Sequence, residues 1–156
     1  DQLVVSVTSI ESSSKAFNVI AQRTHMKGTV RTMSKDMRAL AEQRLIAIAK
    51  SVSETFGAAA EVKYYLGYPC MVNHPEQTEF AASVATKISG SCADAPLVMG
   101  GEDFAYLLEE RPGAYILVGN GDTASVHHPE YNFDDAAIPA GCSWWSGVVE
   151  ERMPVG

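Results

Sequence analysis

Apolar and polar positions alternate most cleanly over residues 25–33. Met26, Gly28, Val30 and Thr32 fall on one side, and His25, Lys27, Thr29 and Arg31 on the other. That two-residue period predicts a strand with one packed and one polar face. Residues 3–10 are rich in Val and Thr and predict a strand before it, with the polar run Glu11-Ser12-Ser13-Ser14-Lys15 as a loop. The period then changes. Met37, Leu40, Ala41, Leu45, Ile48, Val52 and Phe56 recur at three- and four-residue steps, the mark of a long amphipathic helix. Ser34 suits its N-cap, Asp36 its positive end, and Gly57 its stop. Residues 61–68 alternate again, with Val62, Tyr64, Leu66 and Tyr68 on one face. The order is strand, strand, helix, strand. One strand and one helix before it would complete a ferredoxin-like βαββαβ unit.

Pro69 ends this region, and a hinge is expected within residues 67–73, dividing the chain into 1–69 and 70–156. Pro75 opens a helix at its favoured first position, with Phe80, Val84 and Ile88 on one face and Gly90 after it. Residues 91–96 form a loop and 97–99 a short apolar run. A helix follows over residues 103–110, stopped by Pro112-Gly113. Continuous apolar character predicts a buried strand over residues 114–118. Gly119-Asn120-Gly121-Asp122 is a turn. A last helix is expected over residues 138–152, with Trp144, Trp145, Val148 and Val149 available for packing. The fold class is α/β.

Composition narrows the function. A chain of 156 residues has room for a real core in one or two small domains. Its net charge of −7 argues against nucleic acid or an anionic membrane as partner. No apolar run reaches the length of a membrane span. The start Asp1-Gln2-Leu3-Val4-Val5 has neither an initiator Met nor a signal peptide's basic and apolar regions, so a cut N-terminus is expected. Cys70, Cys92 and Cys142 are three, widely spaced and outside any CxxC pattern. They indicate no disulfide framework or zinc ribbon, and a reducing cytoplasm is the expected compartment.

The densest chemistry lies in Val126-His127-His128-Pro129-Glu130-Tyr131-Asn132-Phe133-Asp134-Asp135. An imidazole offers a neutral nitrogen to zinc or manganese, and nearby carboxylates orient ring N–H groups. His127 is the candidate ligand; a pair of ordinary surface histidines is the other reading. Asp134 and Asp135 suit a cap on the last helix. Gly100-Gly101 before a helix allows close backbone approach to an anion, or is a plain turn. Arg31, in line with Lys27, suits a two-pronged grip on a carboxylate, or a solvated strand face. Asn18 is a candidate amide donor to a substrate, or bonds its own loop. His25 fits a solvated strand face and His74 a helix cap.

Four stretches stand in order: Asn18-Val19-Ile20, Gly28-Thr29-Val30-Arg31-Thr32, Met99-Gly100-Gly101-Glu102-Asp103-Phe104, and His127 through Asp135. In that order and spacing the chain resembles the amidohydrolase branch of the aminoacylase and carboxypeptidase-G2-like dinuclear metallopeptidases. Hippurate hydrolase and the N-acyl-L-amino-acid amidohydrolases belong to that branch. The resemblance spans essentially the whole chain.

It implies a two-domain enzyme, in which an α/β catalytic domain holds two metal ions and a ferredoxin-like α+β lid inserted into it forms the dimer. Residues 1–69 then match the lid without its first strand and helix, and 70–156 the C-terminal portion of the catalytic domain. His127 matches the last metal ligand. Asn18 and Arg31 match lid residues that hold the substrate's carboxylate or carbonyl, and Gly100 and Gly101 the backbone that approaches substrate. Ala21 stands where the family has a proline after Asn-Val-Ile. The family's other Cys, His and Glu ligands, its Glu general base and a lid His that crosses the dimer belong to an N-terminal half expected to be absent here.

The resemblance thus implies metal-dependent hydrolysis of an N-acyl amino acid, with two zinc or manganese ions in the full enzyme and few or none in this chain, which is expected to be inactive alone. A homodimer through the lid is expected. The rival reading is a non-enzymatic dimerisation module that pairs through its sheet edge. A single-metal protein built on His127 and His128 is a third, since adjacent residues rarely chelate one ion together.

Overall fold

The computed structural model describes residues 2–154. They form two compact units, one of residues 1–70 with 98–103, the other of residues 71–97 with 104–156.

The first unit is built on an antiparallel hairpin, β1 (Leu3–Ser12) and β2 (Thr24–Thr32). The register runs from Leu3 opposite Thr32 to Ser12 opposite Thr24, and slips between Val7 and Ser9. Thr8 is the extra residue of this bulge, and its hydroxyl donates to the Lys27 carbonyl at 3.4 Å. Gly28 faces the bulge. A Cβ there would run into the Ser6 carbonyl oxygen, so the alternating face predicted for Gly28 is in fact a site of backbone contact. After β2 the chain turns into α1 (Lys35–Thr55), which packs on β2. Ser34 has extended dihedrals, and its hydroxyl accepts the Met37 N–H at 3.2 Å, a cap worth about 1 kcal/mol. The apolar stripe expected on this helix divides. Ala41 is buried, whereas Leu40, Ile48, Val52 and Phe56 are exposed.

Among the described residues the sheet has two strands. Residues 61–68 alternate in burial as far as Tyr64 but join no ladder, so the expected third strand does not form. Alternation specifies a face, whereas a strand also needs a neighbour to take its hydrogen bonds. Here the segment is held by a side chain: the Arg38 guanidinium donates to the Gly67 carbonyl.

The second unit packs α2 (Pro75–Ser89) on α4 (Ile138–Arg152), with the short α3 (Phe104–Glu110) between them in sequence. α2 begins at Pro75 as expected and ends on Gly90 in the left-handed region. Its core is Ala81 and Val84 against Trp144, flanked by Phe80, Ala114, Ile116 and Val148. The Trp144 indole N–H donates to the Ala81 carbonyl at 3.1 Å, so its one polar atom is satisfied inside the contact. At the rim Arg152 sits 4.2 Å over the Phe80 ring, and Lys87 pairs with Glu151 at 2.7 Å.

The buried strand expected over residues 114–118 is replaced by a different device. Leu117 and Val118 are exposed, and no second strand lies alongside. Instead the Asn73 side chain donates to the Tyr115 carbonyl at 2.9 Å and accepts the Tyr115 N–H at 2.8 Å. His74 adds a second pair of bonds. Its N–H donates to the Gly113 carbonyl at 3.0 Å, and its Nδ1 accepts the Gly113 N–H at 3.3 Å. His74 is also the N-cap residue of α2, where its side chain makes no cap bond. Residues 97–99 likewise join no strand, and Leu97 and Val98 are exposed. Among the described residues no helix is long and apolar enough to cross a membrane.

Two outcomes follow from these contacts. Gly28→Ala forces the bulge open and lowers stability by about 1–3 kcal/mol in chemical denaturation; an unchanged midpoint would contradict the close contact with Ser6. Asn73→Ala costs about 1–2 kcal/mol and speeds hydrogen exchange at the Tyr115 amide, with the amides of α1 unaffected.

Candidate functional site

Three residues of the first unit converge. Arg31 lies on β2 opposite Val4, on the polar face that alternation assigns to it. Residues 98–103 bring Gly101 to it. A Cβ on Gly101 would lie 3.1 Å from the Arg31 Nη1 and 3.2 Å from the Tyr68 ring at Cδ2. Guanidinium and ring therefore meet over a backbone position that has no side chain to separate them. Gly100, beside it, is open, with the Val98 side chain 3.7 Å from where its Cβ would be. Arg31 is exposed and makes no ion pair among the described residues. A guanidinium without a carboxylate partner, next to an aromatic ring and bare backbone, is chemically suited to a small carboxylate.

Asn18 lies elsewhere on the hairpin. It sits in the exposed loop of residues 13–23, closed by the Ser13 N–H to the Arg23 carbonyl at 2.9 Å and the Arg23 N–H to the Ser13 hydroxyl at 3.1 Å. Arg31 is seven residues along β2 from the loop's base, roughly 23 Å at strand rise.

His127 belongs to the second unit, on a loop tied down almost entirely by side chains. The Asn120 amide donates to the Asn132 carbonyl and its oxygen accepts the Asp134 N–H, each at 2.8 Å. The Thr123 hydroxyl accepts the Asn132 N–H at 3.1 Å. Asp134 then caps the turn Asp135–Ala137 that leads into α4, its carboxylate accepting the Ala136 N–H at 2.9 Å. Within this frame the two histidines differ. His128 turns its Nδ1 back to accept the Glu130 N–H at 3.1 Å, and its carbonyl accepts the Tyr131 N–H at 3.0 Å. His127 is exposed and has φ 70, the one non-glycine residue in the left-handed region among those described. That conformation is uncommon for a residue with a side chain and is tolerated best by Asn, Asp and His. Beneath the loop, Tyr131, Phe133, Val118 and Ile138 border an open apolar hollow of about 240 Å³. That is smaller than typical ligand pockets, which run from about 300 to 1,000 Å³.

A catalytic zinc takes three protein ligands and a structural one four. His127 offers one imidazole, and among the described residues no group of three or more His, Cys, Asp or Glu comes together. Cys70, Cys92 and Cys142 are free thiols, the last two exposed. These residues do not make a metal centre by themselves. What they arrange is a cation beside an aromatic ring in one unit, and a single presented imidazole in the other. Sequence reasoning placed Tyr68 on a strand face and Asn120 in a plain turn. The dipeptides around Asn120 signal the turn correctly, but nothing in the sequence says which backbone groups its amide clasps.

The model of Peptidase family M20/M25/M40 matches residues 4–151. The N-acetylcysteine deacetylase of Bacillus subtilis is 29% identical over 143 residues, covering 92% of this chain and 37% of that protein. The N-acetyldiaminopimelate deacetylase of Brevibacillus brevis is 34% identical over 145 residues, covering 88% and 37%. Among solved structures, the Bacillus subtilis YxeP protein, described as a dinuclear metal binding peptidase from the M20 family, superposes with a TM-score of 0.82 at 28% identity. That match covers 97% of this chain and 42% of the other. The chain spans about a third of the length of the curated relatives it matches. It has the mixed α/β fold of the corresponding part of such enzymes, and it belongs to peptidase family M20/M25/M40.

Proposed function

We propose that this chain is part of a metal-dependent amidohydrolase that cleaves the amide C–N bond of a small N-acyl amino acid. Residues 1–69 would supply most of a ferredoxin-like lid through which the protein forms a homodimer. Residues 70–156 would supply the C-terminal portion of the catalytic domain. The observation that carries this reading is the convergence of Arg31 and Gly101 in a chain whose family match runs over residues 4–151. Two relatives named as deacetylases of N-acetyl amino acids support the substrate class, since such molecules present a free carboxylate.

On this reading Arg31 holds the substrate's carboxylate in charge-assisted hydrogen bonds. Gly101 and Gly100 let the backbone lie close to the bound molecule, and Asn18 contributes an amide donor. His127 is one ligand of a site for two zinc or manganese ions, which supply Lewis-acid chemistry when bound. The other ligands are not gathered by the described residues. The chain's own share of the reaction is therefore recognition and orientation of substrate, and alone it is inactive. Its exposed apolar positions on β1, among them Val5, Val7 and Ile10, suit a partner surface.

Metal content and amino-acid release from N-acyl amino acids, measured on this chain and on one extended at its N-terminus, test the reading. The extended protein is expected to bind about two metals per chain and to turn over, and His127→Ala to lower its metal content. The 156-residue chain is expected to do neither. Turnover by the 156-residue chain, or no metal in either, overturns the proposal. A second outcome concerns Gly101. In the extended protein Gly101→Ala pushes the mobile guanidinium away from the ring and raises KM roughly threefold or more. The melting temperature stays within about 2 °C, because the displaced group is exposed.

A further inference from the structure

The geometry points to Tyr68 as the residue that selects the amino-acid side chain of the substrate. This rests on the reading that Arg31 holds the substrate's carboxylate. Arg31 Nη1 and Tyr68 Cδ2 lie 3.1 and 3.2 Å from one point over Gly101, and Tyr68 Cε2 lies 3.8 Å from it. The ring thus turns its Cδ2–Cε2 edge toward the place where the guanidinium ends. Tyr68 is 52% exposed, so ring surface remains open to a ligand.

A carboxylate on Arg31 has oxygens about 2.8 Å from the guanidinium nitrogens. The α-carbon is one bond beyond, which brings its substituents into van der Waals reach of the neighbouring ring. Two substituents matter, the acylamido group and the side chain. The amide must reach the reacting groups, and neither Arg31, Gly101 nor Tyr68 supplies any. The side chain is the substituent left to meet the ring. An aromatic edge beside a cation rewards an apolar or aromatic side chain, and does so by contact and area burial rather than by charge. Gly101 is what keeps that space clear. The ligand class is therefore an N-acyl amino acid with an apolar or aromatic side chain. Tyr68 acts on specificity and takes no part in bond cleavage.

NMR titration of the full chain in a chelator-containing buffer, so that no turnover intervenes, tests this with N-acetyl-L-phenylalanine and N-acetylglycine as probes. The wild type is expected to bind the phenylalanine derivative more tightly, by roughly three- to tenfold, the range of an aromatic pair. Tyr68→Phe keeps that preference. Tyr68→Ala removes it and leaves N-acetylglycine, which has no side chain to reach the ring, within about twofold. Arg31→Met weakens both probes by at least about threefold. If Tyr68→Ala weakens both probes equally, or neither, the side-chain assignment is overturned while the Arg31 reading stands. If Arg31→Met changes neither, the Arg31 reading itself falls. If Tyr68→Phe loses the preference as Ala does, the hydroxyl rather than the ring surface decides, and the proposed apolar contact is wrong. Absence of measurable binding by the wild type overturns both.

Discussion

Backbone N–H and C=O groups need partners wherever the chain is covered, and the described residues have a single two-stranded ladder to provide them. Side-chain amides take up much of the remaining demand. Asn73 presents donor and acceptor to Tyr115 as a neighbouring strand would. Asn120 does the same across the turn that precedes the His127 loop, to Asn132 and Asp134. Each amide satisfies two backbone groups that would otherwise cost about 1–3 kcal/mol apiece if buried without a partner. The path of residues 113–115 and of 132–134 depends on these two side chains. Through the second of them, so does the presentation of His127.

The same constraint explains why the two neighbouring histidines are not equivalent. His128 spends its Nδ1 on the Glu130 N–H and so belongs to the loop's internal bonding. His127 takes the left-handed conformation at φ 70, which reverses the chain at that residue and leaves its ring exposed. A β-branched or bulky residue there would be strained, whereas histidine is among the types that tolerate it. The loop thus holds one imidazole back and offers the other.

Helices were legible because their signals are local. Ser34, Pro75 and Gly90 mark ends within a residue or two of where they fall, and the period of α1 is plain in its apolar positions. Even there the pattern did not say which apolar residues would be covered: Ala41 is buried, Leu40 and Ile48 are not. Strands were legible where the partner lay next in sequence, as for β1 and β2. Residues 61–68 and 114–118 have the pattern of strands without a ladder neighbour among the described residues, and a pattern cannot supply one. Arg31 and Gly101 were identifiable as types, a cation on a polar strand face and a glycine before a helix. Their meeting was not, since 70 positions separate them and the residue between them in space, Tyr68, carried no signal beyond alternation.

A magnitude decides how much Arg31 can do on its own. The chain's net charge of −7 repels an anionic substrate at long range, but the screening length at physiological salt is about 8 Å, so that field matters little at contact. The local guanidinium prevails. Yet Arg31 is exposed, and an exposed ion pair is worth about 0–1 kcal/mol, at most roughly fivefold in affinity. A carboxylate held by Arg31 alone would be held weakly. The charge gains force when water is excluded around it, since the same pair strengthens severalfold as the effective dielectric falls. Tyr68 on one side and the bare backbone of Gly101 on the other are placed to begin that exclusion, because a ligand seated against them covers the guanidinium with its own hydrocarbon. A substrate with an apolar side chain therefore gains twice, by its contact with the ring and by the drier surroundings it gives the carboxylate. N-acetylglycine gains neither.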